Sequence, residues 1–137
     1  MKKILFKATQ EEVLLISSES IENLFDSIPT DAKCCVLADK KVLDMHDSLR
    51  KQIENKNFII YEISNPEEEK SINSYTEIVD FLSSESFKRN DRIVGLGGGA
   101  ITDLAGFVSS TYMRGLDYIQ IPTSLLAQVD ASIGGKT

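Results

Sequence analysis

Apolar positions along the chain follow two periods, and the switches between them mark out the elements. Short apolar runs at residues 4–6 and 13–16, separated by Thr9-Gln10-Glu11, predict a pair of N-terminal strands or a hairpin. Ser17-Ser18-Glu19-Ser20 offers helix-capping chemistry. Ile21, Leu24, Phe25 and Ile28 follow at helical spacing and Pro29 closes that stretch, which predicts a short helix. The continuous run CCVLA at 34–38 is the pattern of a parallel strand covered on both faces, with Asp39 at its carboxyl end.

Further on, Val42, Leu43, Met45, Leu49 and Ile53 predict one helix broken by Asn55-Lys56-Asn57, and 58–63 (FIIYEI) predicts the next strand. Ile72, Tyr75, Ile78, Val79 and Leu82 repeat at 3.6-residue spacing, with Glu67, Glu68 and Glu69 expected to form an acidic first turn of that helix. Residues 93–96 predict a strand, 100–112 a helix, 118–121 a strand closed by Pro122, and 125–129 an apolar helix capped by Thr123-Ser124. The regular alternation of strand and helix predicts an α/β fold: a Rossmann-like open, mostly parallel sheet with helices on both faces. No linker or repeat divides residues 1–137, so one domain is expected.

Composition changes this picture little. The chain is 42% hydrophobic and 26% charged, an ordinary globular balance. A net charge of −6 argues against a nucleic-acid surface. The N-terminus lacks the apolar core of a signal peptide, and no apolar run approaches the ~20 residues of a membrane span. Cys34 and Cys35 are adjacent, so in a strand they face opposite sides and read as two packed thiols. Together these features point to a cytoplasmic location and no membrane association.

The candidate chemistry lies in the glycine-rich stretch. Five of the eight glycines fall between Gly95 and Gly106. A strand, a glycine turn and a helix start bring backbone N–H groups and a positive helix end against a phosphate. Gly95-x-Gly97 with Ala100 fits the looser dinucleotide fingerprint G-x-G-x-x-A. Its place is unusual: the glycines sit in a late strand, and Asp117, about 20 residues on, precedes its strand instead of ending it. The adenosine half of a dinucleotide is therefore expected at earlier strand ends, at Asp39 and the 65–70 loop. A purely structural glycine turn is the competing reading. Gly135-Lys136-Thr137 resembles the end of a phosphate-binding P-loop, but Asp130 stands where the leading glycine is required. His46, the one histidine, reads as a surface residue, and no zinc-site spacing is present.

Residues 97–107 (GGGAITDLAGF), Tyr112-Met113-Arg114-Gly115 and 119–137 (IQIPTSLLAQVDASIGGKT) resemble the amino-terminal domain of 3-dehydroquinate synthases. Residues 65–71 (NPEEEKS) resemble that family's Gly-Glu-x-x-Lys segment, with Pro66 in the place of the glycine. The resemblance implies an NAD-dependent enzyme that uses a divalent metal, zinc or cobalt. It would convert 3-deoxy-D-arabino-heptulosonate 7-phosphate to 3-dehydroquinate and phosphate, a step of the shikimate route to aromatic amino acids. A ring hydroxyl is transiently oxidised there, which acidifies the neighbouring C–H. Phosphate elimination, re-reduction, ring opening and aldol closure follow.

Carried over by position, the resemblance assigns cofactor contacts to Asn65, Glu67, Lys70, Gly98, Gly99, Ala100, Ile101, Thr102, Asp103, Thr123 and Ser124, with Asp39 as a ribose contact. Asp130 and Lys136 match catalytic positions, Lys136 also meeting the substrate phosphate. Arg114 matches an arginine that reaches a phosphate in the neighbouring subunit of a homodimer. The family's metal ligands, one glutamate and two histidines, belong to a mostly helical carboxy-terminal domain with no counterpart here, so no metal ligand is expected in this chain. The expectation is the NAD-binding part of the enzyme, as a fragment without turnover of its own. Readings kept open beside it are another NAD-dependent sugar-phosphate cyclase making an inosose or a valiolone, a metal-dependent polyol dehydrogenase of related fold, and a non-catalytic nucleotide-binding module.

Overall fold

The structure, a computed structural model, describes residues 2–6, 11–15 and 21–124. The first two strands, β1 (Lys2–Phe6) and β2 (Glu11–Leu15), pair antiparallel with Ile4 opposite Val13, as expected from the two apolar runs. The remaining strands are β3 (Cys34–Asp39), β4 (Ile59–Ile63), β5 (Arg92–Gly97) and β6 (Asp117–Pro122). They form one parallel sheet in the order β4-β3-β5-β6.

Helices cover both faces of this sheet. On one side α1 (Lys40–Met45) and α2 (Asp47–Asn55) bury Leu43, Leu49 and Ile53 against Cys34, Val36, Ala38, Val94 and Leu96. A short helix, α3 (Pro66–Glu69), follows β4. On the other side of the sheet, α4 (Ile72–Ser84) and α5 (Gly99–Thr111) bury Ile78, Leu82, Ile101, Ala105 and Val108 against Cys35, Leu37, Ile63 and Ile93. The central strands β3 and β5 are therefore apolar at nearly every position, because each side chain meets a helix layer whichever way it points. Cys34 and Cys35 do separate to opposite faces, one in each core.

Three expected features take a different form. The stretch expected as a helix over 21–28 makes only one 3-10 turn, Ile21–Asn23. Part of its backbone is satisfied from outside: the Gln52 amide accepts from Phe25 N–H at 3.2 Å and donates to the Ile21 carbonyl at 2.8 Å, and Lys56 Nζ donates to the Ile28 carbonyl at 2.7 Å. Phe25 and Ile28 are buried all the same. The single helix expected over 42–53 is broken at His46, whose backbone is non-helical (φ −138°, ψ 81°). Hydrogen bonding continues through the break, since His46 N–H donates to the Leu43 carbonyl and the His46 carbonyl accepts from Leu49 N–H. The three glutamates belong to α3, which Pro66 starts, while α4 is capped separately by Ser71, whose hydroxyl accepts from Ser74 N–H. Their acidic charge is therefore not at the α4 terminus as expected. The helix expected at 125–129 lies outside the described residues.

Close packing of α5 on β5 is made possible by glycine. A Cβ on Gly95 would stand 2.9 Å from Ala105 Cβ and 3.0 Å from the Tyr118 hydroxyl, and one on Gly97 would stand 2.7 Å from Ile101 Cγ1. These distances are below normal carbon contact, so any side chain there would push the helix off the sheet. The start of β5 is held by Arg92, a buried residue whose guanidinium donates to the Pro29 carbonyl at 3.0 Å.

Overpacking at the glycine contact is measurable. Gly95→Ala should destabilise the chain by about 1–3 kcal/mol, read as a lower urea midpoint at unchanged slope. The buried thiols, in turn, make stability fall in alkali. Burial pushes the Cys34 thiol from an ordinary 9.0 up to about 12, and Cys35 is raised by burial and by Cys34 beside it. Between those values the unfolded chain loses thiol protons that the folded chain keeps, so stability is full below pH 9 and declines as pH rises toward 12. Thermal midpoints measured across that range should fall, and a Cys34→Ala, Cys35→Ala variant should flatten the decline.

Candidate dinucleotide site

Strand order creates a crevice at one end of the sheet. From β3 the chain moves out to β4, then crosses back to β5 on the other side of β3. The connections leave the carboxyl ends of β3 and β5 in opposite directions, and ligands of open α/β sheets bind at such a switch point. Asp39 ends β3 there, and Gly98 follows β5.

Gly98 is the N-cap of α5, in an extended conformation (φ −76°, ψ −171°) and with no side chain to close the helix end. The N–H groups of Gly99, Ala100 and Ile101 form the uncapped first turn, at the positive end of a 13-residue helix. A Cβ on Gly98 would meet only Ser124 Oγ, at 3.7 Å, so a ligand can approach the backbone closely. The glycines thus divide into two kinds. Gly95 and Gly97 face α5, and Gly98 faces the crevice. Thr123 is laid alongside, its N–H donating to the Gly97 carbonyl at 2.9 Å.

The side chains around this turn point in different directions. Ile101 is fully buried beneath Gly97, and Thr102 is 1% exposed. The Thr102 hydroxyl turns back to the carbonyls of Gly98 and Gly99 at 3.2 and 3.1 Å. Ile101 therefore presents only its backbone N–H to a ligand, Thr102 presents nothing because its N–H donates to the Gly98 carbonyl at 3.0 Å, and Asp103 presents its carboxylate. Asp39 caps α1 by accepting from Lys41 N–H at 2.9 Å.

Asp103 is joined to the loop after β4 by a 2.6 Å ion pair with Lys70 Nζ. Both side chains are part-exposed, 23% and 46%, so the pair adds at most about 1 kcal/mol and exchanges readily for a ligand. Asn65 and Glu67 lie on the same loop, at its start and in α3. The loop's shape is held by Glu69, which no motif in the sequence singles out. One oxygen of its carboxylate accepts from Asn65 N–H at 3.0 Å and Ser64 N–H at 3.2 Å. A signal for this was present in the sequence: an acidic residue reaching back to the start of its own turn is capping-box chemistry displaced by one residue.

On the α1–α2 side of the β5 and β6 ends lies a largely apolar groove of about 380 Å³, lined by Val42, Met45, His46, Leu96, Ile121 and Thr123 among others. Its size suits a small organic ligand. The break between α1 and α2 is what brings His46 to this groove instead of to a plain helix surface.

Arg114 is not part of this assembly. It follows α5, roughly 20 Å of helix away from Gly98, at the amino end of the sheet, where it is exposed. Met113 (φ 51°) and Arg114 (φ 67°) are consecutive non-glycine residues in the left-handed region, before Gly115 (φ 108°). Such a pair costs roughly 1–2 kcal/mol per residue and is held by Leu116 N–H donating to the Ser109 carbonyl at 2.7 Å and by the Tyr112 hydroxyl on the Phe87 carbonyl at 3.0 Å. Asp130 and Lys136 lie outside the described residues. Among the described residues no group of three or more His, Cys, Asp or Glu side chains could hold a metal, and no helix is long and apolar enough to cross a membrane.

Comparison with known proteins agrees with this geometry. Residues 60–137 match the family model described as 3-dehydroquinate synthase N-terminal. The chain is 38% identical over 125 residues to a bifunctional 3-dehydroquinate synthase/phosphatase of Fusobacterium nucleatum, covering 90% of this chain and 19% of that protein. It is 43% identical over 108 residues to a 3-dehydroquinate synthase of Streptococcus pneumoniae, covering 77% of this chain and 30% of that one. The chain thus spans less than a third of the length of either curated relative. Among solved structures, it is similar to 2-deoxy-scyllo-inosose synthase complexed with carbaglucose-6-phosphate, NAD+ and Co2+ (TM-score 0.67, 25% identity, 80% of this chain and 31% of that one). With its parallel sheet, its uncapped glycine turn and a family match over more than half its length, the chain belongs to the 3-dehydroquinate synthase family, in the amino-terminal region of that family.

Proposed function

We propose that this chain is the dinucleotide-binding part of a 3-dehydroquinate synthase, which converts 3-deoxy-D-arabino-heptulosonate 7-phosphate to 3-dehydroquinate and phosphate. The observation that carries the reading is the helix start at Gly98, uncapped, open to close approach, and flanked by Lys70, Asp103 and Thr123. A pyrophosphate fits there, because backbone N–H groups and a helix dipole stabilise negative charge without a bulky side chain in the way.

Bound there, NAD+ supplies a hydride acceptor for a substrate hydroxyl. The chain's own residues bind and orient. The N–H groups of Gly99, Ala100 and Ile101 hold the pyrophosphate. Asp39 accepts from a ribose hydroxyl at the end of β3. Asp103 orients the nicotinamide end, and Lys70, released from its ion pair, donates to the ligand. Thr123 and Ser124 close the turn from the β6 side. Asp130 and Lys136 serve the substrate, Lys136 at its phosphate. A divalent metal, zinc or cobalt, is also proposed for the whole enzyme, supported by the Co2+ in the similar 2-deoxy-scyllo-inosose synthase.

Arg114 is proposed to serve a substrate phosphate in the neighbouring subunit of a cytoplasmic homodimer. Its distance from its own glycine turn and its exposure support a role in trans. A second reading, an NAD-dependent cyclase making an inosose, is favoured by one observation, the similarity to 2-deoxy-scyllo-inosose synthase. The higher identity to 3-dehydroquinate synthases favours the first.

The cofactor assignment is tested by calorimetric titration of NAD+ into the chain. Binding is expected at millimolar cofactor or below, and Lys70→Met and Asp103→Asn should each weaken it about tenfold, the worth of a hydrogen bond to a charged group. No heat of binding at millimolar NAD+ would sink the proposal. The trans assignment is tested by mixing two separately inactive full-length variants, Arg114→Ala and Asp130→Asn. Exchange of subunits between symmetric dimers should restore statistically about a quarter of the wild-type rate, and no recovery would place Arg114 outside the neighbouring site.

A further inference from the structure

Tyr118 lies near the start of β6, opposite Ile93 of β5, on the face that carries α5. Its ring reaches across the space that Gly95 leaves empty: a Cβ on Gly95 would stand 3.0 Å from the hydroxyl and 3.4 Å from ring Cε2. The hydroxyl ends 2.5 Å from the carbonyl oxygen of Thr102 and donates to it. Thr102 immediately precedes Asp103, and its own hydroxyl is already folded back onto Gly98 and Gly99.

This bond is surplus to the helix. A carbonyl at that depth in an α-helix has its regular acceptor role for the N–H four residues on, so Thr102 does not need a second donor. Phenylalanine would fill the same space, and a buried hydroxyl without a partner is costly. The hydroxyl therefore contributes direction more than area. It ties the peptide unit between Thr102 and Asp103 to β6 at Tyr118, four positions before that strand comes level with Gly97 at Pro122. Burial raises the hydroxyl far above the ordinary tyrosine range, and the Asp103 carboxylate raises it further, so it remains a neutral donor wherever the protein is folded.

Resting on the dinucleotide reading above, we propose that Tyr118 is a positioning residue of the cofactor site: by holding the Thr102 carbonyl, its hydroxyl fixes the peptide unit that leads into Asp103 and so the place of the Asp103 carboxylate relative to the glycine turn. It touches no ligand itself. Its effect passes through Asp103.

A double-mutant cycle in NAD+ affinity tests this, with wild type, Tyr118→Phe, Asp103→Asn and the double variant titrated by calorimetry on the full chain, each with its thermal midpoint. Tyr118→Phe should weaken NAD+ binding about 3- to 10-fold, the worth of one hydrogen bond, with the thermal midpoint nearly unchanged. The double variant should bind no worse than Asp103→Asn alone, because the hydroxyl then has nothing left to position. Wild-type affinity in Tyr118→Phe would overturn the inference and leave the cofactor reading intact. So would losses that simply add in the double variant, or a loss matched by a large fall in thermal midpoint, since either assigns the hydroxyl to general stability. A wild-type chain that does not bind NAD+ removes the cofactor reading and this inference together.

Discussion

The contact on which the rest depends is the approach of α5 to β5. Two glycines on one face of the strand and Ala105 on the helix bring the two backbones closer than ordinary side chains permit. That distance decides where the helix begins. Because β5 is central and parallel to both neighbours, its carboxyl end stands at the switch point, and a helix seated tightly on it points its positive end into the crevice. Moving the helix outward by the width of a methyl group would leave the sheet intact and displace every N–H group of the first turn. Glycine spacing within the strand would thus act on a ligand at that crevice from beneath, through helix position.

The parallel sheet could be read from the chain because residues 34–38 and 93–96 are apolar without alternation, which only double coverage permits. The glycine turn was legible as a turn, but its division of labour was not. Period-two geometry sends Gly95 and Gly97 to the helix side and leaves Gly98 to the crevice, and a motif that counts glycines does not see which way they face. The break at His46 was hidden because Leu43, Leu49 and Ile53 stay on one buried side across it. The stretch 21–28 has helical spacing, yet several of its backbone partners are side chains of Gln52 and Lys56, far away in sequence. The left-handed pair Met113-Arg114 carries no local marker, since neither residue favours that conformation.

On the proposed reading, the ion pair of Lys70 and Asp103 would let an acidic chain keep a site for an anionic ligand. With a net charge of −6, the protein's overall field opposes phosphate. Local attraction would then come from fixed dipoles at Gly99–Ile101 and from Lys70, which the Asp103 carboxylate holds beside α5. Since the pair is partly solvated, little stability is lost when Lys70 turns to a ligand.

The adjacent cysteines of β3 sit on opposite sides of the sheet, Cys34 under the α1–α2 layer and Cys35 under the α4–α5 layer. Neighbours in sequence, they are covered by different helical layers. Each thiol becomes reachable only when its own layer lifts. Their separate rates of exchange with a small disulfide would therefore report the opening free energy of each helical layer independently, so that a single dipeptide serves as a two-sided gauge of which half of the domain loosens first.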